Sequence, residues 1–353
     1  MKTKGLYIHI PFCDAICVYC DFVKMVRSDD TKHAYMMQLL RHLEQVDFSD
    51  VDTIYIGGGT PTSVALGDLL ALLQRLPQVK EVTLEANPEH INETLLDALE
   101  STPVTRLSLG VQTFRDDILQ ALNRTHTAAQ ARQAIHLIQA RRFRLSIDLI
   151  YNLPQQTIDD VLRDATELDG IEHVSWYSLI LEPNTMHYVK YLRGEYVPNT
   201  KDDVMMETIM ATMASLGFRQ YEVSNYTRGD VSHHNMHYWQ ADDVAAIGLG
   251  ATGTADGMRY QITRDLTTFL SSPHPVATTE PRDHMNEVIM VGFRLFDGID
   301  KASFAEVFGQ SMEQAYPKLR TVIDQGLVEE TATHVRPTPK GIMLNNEILI
   351  QLL

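Results

Sequence analysis

Three cysteines, Cys13, Cys17 and Cys20, fall within eight consecutive residues, and the rest of the 353-residue chain contains no thiol. An odd number packed into one short loop is not the spread, even set of a disulfide-stapled secreted fold. Structural zinc usually takes two C-x2-C knuckles, whereas the spacing here is C-x3-C-x2-C with no second knuckle. Three thiolates on one tight loop can hold three corners of a cubane iron–sulfur cluster. The fourth iron then lacks a protein ligand, and an open coordination position is the mark of a working metal site. The alternative is a zinc loop completed by His9, the one imidazole close by in sequence.

Other residues with chemical potential sit where the apolar runs stop. Gly57-Gly58-Gly59-Thr60-Pro61 ends the second run, and glycines let backbone approach a ligand. Glu85 follows the third, Gln112 closes the fourth with Arg124 shortly after, and Asp148 interrupts the fifth, where a carboxylate demands a partner. Farther on, His233, His234 and His237 crowd into HHNMHYW. Imidazoles ligate metals, and they also pack in loops through ordinary hydrogen bonds.

The elements that must position these residues alternate in type. Short strands are predicted at 6–10, 53–56, 82–86, 106–111, 144–150 and 174–181, with helices at 31–46, 68–76, 93–100, 127–141 and 157–168. Thr127 and Thr157 stand at N-cap positions, and Asp159 and Asp160 lie in a first turn where a carboxylate suits the helix dipole. Six strands separated by helices imply an α/β fold of parallel βα units, either doubly wound or part of a barrel. Ligands gather beyond the C-terminal ends of such strands, and every motif above is expected at such an end. Residues 186–270 lose the rhythm and read as loop-rich. Beyond about 280 helices are predicted at 283–295, 302–308 and 311–325, then Gly326, a short strand and a closing helix after Gly341. That is the pattern of a small helical or winged-helix appendage.

The formal net charge of −16 excludes a nucleic-acid binder working by phosphate neutralisation. No window supplies the roughly 20 apolar residues of a membrane span. The first residues, MKTKGLYIHIPFC, carry no secretion signal, so the cytoplasm is the expected location.

HIPFCDAICVYCDF, taken with YIGGGTPT, resembles the radical S-adenosylmethionine superfamily, and within it the oxygen-independent coproporphyrinogen III oxidase-like family. The resemblance implies an incomplete parallel (β/α)6 barrel over residues 1–185, an accessory segment over the barrel mouth at 186–275, and a helical C-terminal domain at 280–353. It implies a 4Fe-4S cluster on Cys13, Cys17 and Cys20, with S-adenosylmethionine chelating the open iron. It also implies a cofactor pocket formed by Tyr7, Gly58, Gly59, Thr60, Glu85, Gln112, Arg124 and Asp148, with Tyr19 packing on the adenine. Two departures are visible. Asn152 stands where the family has glycine, and Thr252 stands near a missing histidine in GLGATG.

The family has two branches. The oxidases have a longer arm before the cysteines and a fourth cysteine two residues after the third, where this chain has Phe22. The Cys-x-Tyr-Cys-Asp-Phe loop and His234-Asn235-Met236-His237-Tyr238-Trp239 resemble the heme-chaperone branch instead. That implies heme as a third bound group, with His234 as the first candidate ligand and His233 or His237 as alternatives. It also implies an electron donor and a heme-acceptor protein as partners, and no nucleic acid. The alternative is an enzyme that oxidatively decarboxylates the propionates of coproporphyrinogen III.

Overall fold

The computed structural model describes residues 3–353. Six parallel strands, β1 (Gly5–Ile10), β2 (Thr53–Gly58), β3 (Glu81–Ala86), β4 (Arg106–Gln112), β5 (Arg144–Tyr151) and β6 (His173–Ser178), pair in sequence order. Helices connect each strand to the next across one face. The strands alternate strictly. Leu6, Ile8, Ile54, Ile56, Leu84, Leu107, Leu109, Ile147, Leu149 and Trp176 are buried against those helices and form the main core. Their neighbours on the opposite face are polar: Glu85, Arg106, Ser108, Ser146, Asp148, His173 and Ser175. A closed barrel of this kind fills its interior with branched apolar side chains. Here polar and short side chains leave the concave face open, so the sheet curls around a cavity of about 470 Å³. The fold is an incomplete parallel barrel with a separate C-terminal domain.

The caps expected from sequence are present. Thr127 with Gln130, and Thr157 with Asp160, form reciprocal capping boxes. Asn152 adopts φ +63°, which asparagine tolerates better than most residues, so the family's glycine turn survives the exchange.

Several expectations are corrected. β6 ends at Ser178 rather than 181, because its partner β5 ends at Tyr151, the last residue in register with it. A short helix at Asp116–Ala121 has no counterpart in the sequence reading. The helix expected over 311–325 is broken into Met312–Ala315 and Leu319–Asp324, with Pro317 in the gap. The closing helix expected after Gly341 is present at Asn345–Leu352, and Gly341 itself lies buried inside a further short helix, Pro339–Met343.

The largest correction concerns 186–270, which contributes three strands to the main sheet and two to a separate antiparallel sheet. β7 (Arg219–Gln220) and β8 (Asn225–Thr227) extend it antiparallel beyond β6, and β9 (Val244–Ile247) runs parallel to β1 at the far edge. The chain passes from β8 to β9 by the helix His233–Trp239. That crossing runs beneath the N-terminal ends of the strands: the His234 ring contacts Thr53 at the start of β2 and lies against Gly5 at the start of β1. The C-terminal domain has its own core of Ile289, Phe293, Phe304, Leu319, Val322, Val335 and Ile348, with a three-stranded antiparallel sheet beside its helices.

Candidate functional site

The cysteine loop leaves β1 at Phe12 and is tied off at its base. Phe12 bridges to Met25, Cys13 N–H donates to Met25 O (3.1 Å), and Met25 N–H donates to Pro11 O (2.7 Å). Its far side is fastened by the turn before Arg124: Asn123 Nδ2 donates to Ile16 O (2.7 Å) and Val18 N–H to Leu122 O (3.3 Å). The loop thus presents Cys13, Cys17 and Cys20 to the C-terminal mouth of the cavity, all three half-buried. Burial pushes the Cys13 thiol up to about 11, only partly offset by the Thr60 hydroxyl 3.9 Å away, and burial also raises Cys20. Thiols in this state need a strongly cationic partner to ionise.

The zinc alternative does not survive the geometry. Both ring nitrogens of His9 are occupied, Nδ1 by the Tyr7 hydroxyl (2.8 Å) and Nε2 by Val23 O (2.7 Å). Among the described residues no three histidine, cysteine or acidic side chains converge as a single metal ion requires. Three thiols spread on one loop suit a larger polynuclear cluster.

The second wall is the end of β2. Gly58 adopts φ +117°, and a Cβ there would lie 2.5 Å from the His9 ring; one on Gly59 would lie 2.6 Å from Phe12 O. These glycines are required first by close approach to the protein's own chain, Gly58 to β1 and Gly59 to the segment just after it, a reason beyond the ligand contact expected from sequence. The third wall is acidic. Glu85 accepts a hydrogen bond from the Tyr55 hydroxyl (2.7 Å) and one from Gly58 N–H (3.1 Å). Desolvation nevertheless raises its carboxyl to about 7, with the Tyr55 hydroxyl opposing and Asp148 adding to the rise. Asp148, bonded to Ser108 (3.1 Å), is raised by desolvation to about 6. Arg124 faces them from the rim, donating to Asn87 Oδ1 (2.8 Å), Gly110 O (2.7 Å) and Cys17 Sγ (3.6 Å), while its Nε is buried without a partner. It pairs with no carboxylate and is not the surface ion pair its sequence position also allowed. Gln112, at φ +69°, turns the chain at the strand end where the β4–β5 register slips.

Cys13, Cys17, Tyr19, Cys20, Gly58, Gly59, Thr60, Glu85, Gln112, Arg124 and Asp148 therefore all line one cavity. Two expected residues do not. Tyr7 stands beside it, orienting His9 and packing 6.2 Å from the Tyr55 ring. His234 lies at the opposite end of the strands, fully buried. Its Nδ1 bonds Thr53 Oγ1 (2.9 Å), its Nε2 bonds the Tyr238 hydroxyl (3.2 Å), and its backbone N–H donates to Glu81 Oε1 (3.1 Å). Burial, then the nearby His237, lowers it to about 3. His237 is clamped between Asp52 (2.7 Å) and Asp242 (2.8 Å), and His233 bonds Asp230 (3.0 Å). The HHNMHYW segment is a floor under the barrel and not a cover over its mouth; the ring nitrogens of His234 and His237 are all engaged.

Tyr55, Asn87 and Ser108 were missed by sequence reasoning. For Tyr55 and Ser108 the signal was available in the strict alternation of β2 and β4, where every second residue between outward-facing aliphatics must face the cavity; Asn87, just past the end of β3, lies outside any such alternation.

The Radical SAM superfamily profile matches residues 7–168, and the HemN C-terminal domain profile matches 280–344. The chain is 33% identical to the heme chaperone HemW of Lactococcus lactis, covering 100% of this chain and 98% of that protein. It is 33% identical to the HemW of Bacillus subtilis, with 98% of each chain covered. The chain belongs to the HemW heme-chaperone family. The HemW of Escherichia coli is 32% identical, covering 99% of this chain and 98% of that one. Coproporphyrinogen III oxidase (HemN) from Escherichia coli shares the fold, with a TM-score of 0.82 over 99% of this chain and 90% of that one, at 18% identity. Full-length relatives that carry the HemW name favour the chaperone branch over the oxidase branch. The radical SAM domain of this HemW-family chain implies a 4Fe-4S cluster and S-adenosylmethionine. No helix among the described residues is long and apolar enough to cross a membrane.

Proposed function

We propose that this chain is a heme chaperone that binds heme and passes it to an acceptor protein, using a radical SAM scaffold. The observation that carries the reading is the end-to-end identity with HemW heme chaperones. The cavity is consistent with it. Cys13, Cys17 and Cys20 would hold the cluster, whose cationic iron offsets the cost of ionising buried thiols. Glu85 and Asp148 would face the sulfonium nucleotide; two carboxylates in one cavity favour a cationic guest. The backbone of Gly58, Gly59 and Thr60 would meet its methionyl end, Arg124 and Gln112 would hold it from the rim, and Tyr19 would pack on the adenine. When bound, the cluster supplies one electron to the sulfonium. The protein's part is to orient the nucleotide and to keep the mouth poor in water.

Protein reconstituted anaerobically with iron and sulfide is expected to bind heme saturably. Given S-adenosylmethionine, reductant and coproporphyrinogen III, it should form no protoporphyrinogen IX. Formation of that product would replace the chaperone by the oxidase, and absence of saturable heme binding would defeat the chaperone reading.

A further inference from the structure

The floor engages His234 and His237, which leaves open where heme would meet this chain. The rim of the mouth carries an apolar surface that the cavity chemistry does not use. Ile16 and Phe22 on the cysteine loop, Ile180 just past β6, and Met186, Tyr191 and Leu192 on the following helix are between 38% and 68% exposed. Ile16, Phe22 and Ile180 border the cavity itself. The helix Met186–Leu192 is docked on the cysteine loop, with His187 N–H donating to Val18 O (3.0 Å). Exposed apolar side chains gathered on the loops and helix at one mouth suit a binding face.

Two further features restrict what binds. His187, only 5% exposed, packs its ring 4.6 Å from that of Tyr196, and its Nδ1 is buried with no hydrogen-bond partner. Buried imidazole nitrogens are normally satisfied, so an orphan beside an apolar face points to a ligand. The chain has a net charge of −16, yet Lys190 and Arg193 on the same segment pair with no carboxylate among the described residues. Glu182 and Glu195 are the acidic groups of this stretch. An apolar plate edged by unpaired cations, with an imidazole beside it, complements a flat apolar dianion that carries a metal. Heme has that chemistry.

We propose that heme seats on this rim, its macrocycle against Phe22, Ile180 and Leu192 and its propionates toward Lys190 and Arg193, with His187 as the ligand to its iron. The proposal rests on the heme-chaperone reading and names the surface and the ligand. Heme would then lie beside the cysteine loop, at the same end of the strands as the cluster site.

The test is a heme titration of the full-length, cluster-reconstituted protein, following affinity and the Soret band. His187→Ala is expected to weaken binding at least tenfold and shift the Soret maximum. Leu192→Asp, on a side chain exposed enough to leave the fold alone, is expected to weaken it at least tenfold without moving the band. Both variants should keep the cluster absorbance. If wild-type protein binds heme and both variants match it, the rim is overturned while the chaperone reading stands. If only Leu192→Asp weakens binding and His187→Ala keeps the wild-type band and affinity, His187 is overturned as the ligand. If the wild-type protein binds no heme, the chaperone reading falls and the rim falls with it.

Discussion

The two ends of the sheet are made of the same residue types and do opposite things with them. At the C-terminal mouth, Glu85 and Asp148 lack a cation in hydrogen-bond contact, Arg124 lacks a carboxylate, and burial raises the thiols of Cys13 and Cys20. At the N-terminal floor, Arg106 Nε is bonded to Glu81 Oε2 (3.0 Å), both 2% exposed, and its Nη2 donates to Val231 O (3.0 Å). Glu81 Oε1 takes the His234 backbone, and His234 is bonded at both ring nitrogens. A buried polar group without a partner costs stability. The floor meets that demand internally, and the mouth leaves it to a guest. Hence a change in the mouth should cost ligand and leave the fold, whereas a change in the floor should cost the fold and spare the ligand.

The largest effect is expected from Cys13→Ala, Cys17→Ala or Cys20→Ala. Each should abolish the visible cluster absorbance after anaerobic reconstitution while circular dichroism stays that of the parent; retention of stoichiometric iron in any of them would break the mouth assignment. Next is Arg106→Leu, which strands a buried carboxylate and should destabilise the protein by about 3–5 kcal/mol in chemical denaturation. A loss below about 1 kcal/mol would mean Glu81 is reached by water and the floor is not closed.

His234→Ala removes a filled ring and strips partners from Thr53 and Tyr238, for an expected loss of about 2–3 kcal/mol, with unchanged heme affinity in the folded fraction. Lowered heme affinity with full stability would invert the comparison at this residue. The smallest effect is at Glu85. Glu85→Gln should weaken S-adenosylmethionine binding about tenfold by equilibrium dialysis, which corresponds to about 1.4 kcal/mol. A cationic ligand favours the carboxylate, so wild-type affinity should fall as the pH is lowered through about 7, where Glu85 takes up its proton. Glu85→Gln should flatten that dependence, leaving only the weaker contribution of Asp148 near 6. An equal pH dependence in both proteins would remove Glu85 from the site.

Much of the mouth was legible because its motifs lie at strand ends in sequence order, and a parallel βα fold brings such ends together whatever the details. Tyr55 and Asn87 went unread because neither belongs to a spacing that chemistry alone demands; each acts by holding another residue, Glu85 or Arg124. The floor was misread for a different reason. HHNMHYW shows imidazoles in plenty, but nothing local tells whether their nitrogens face a ligand or Thr53, Asp52 and Glu81, which lie far away in the chain.

The sequence by itself determined the thiol trio, the βα alternation, the polar inner face of the strands and the capping boxes, since these depend on short-range spacing and on the period of two along a strand. Only the tertiary structure decided which end of the sheet each motif occupies. The chain returns beneath the strands between β8 and β9, and that long-range pairing converts a histidine-rich segment into a floor. Docking of the helix Met186–Leu192 on the cysteine loop likewise leaves His187, unremarkable in sequence, with an unpartnered ring nitrogen.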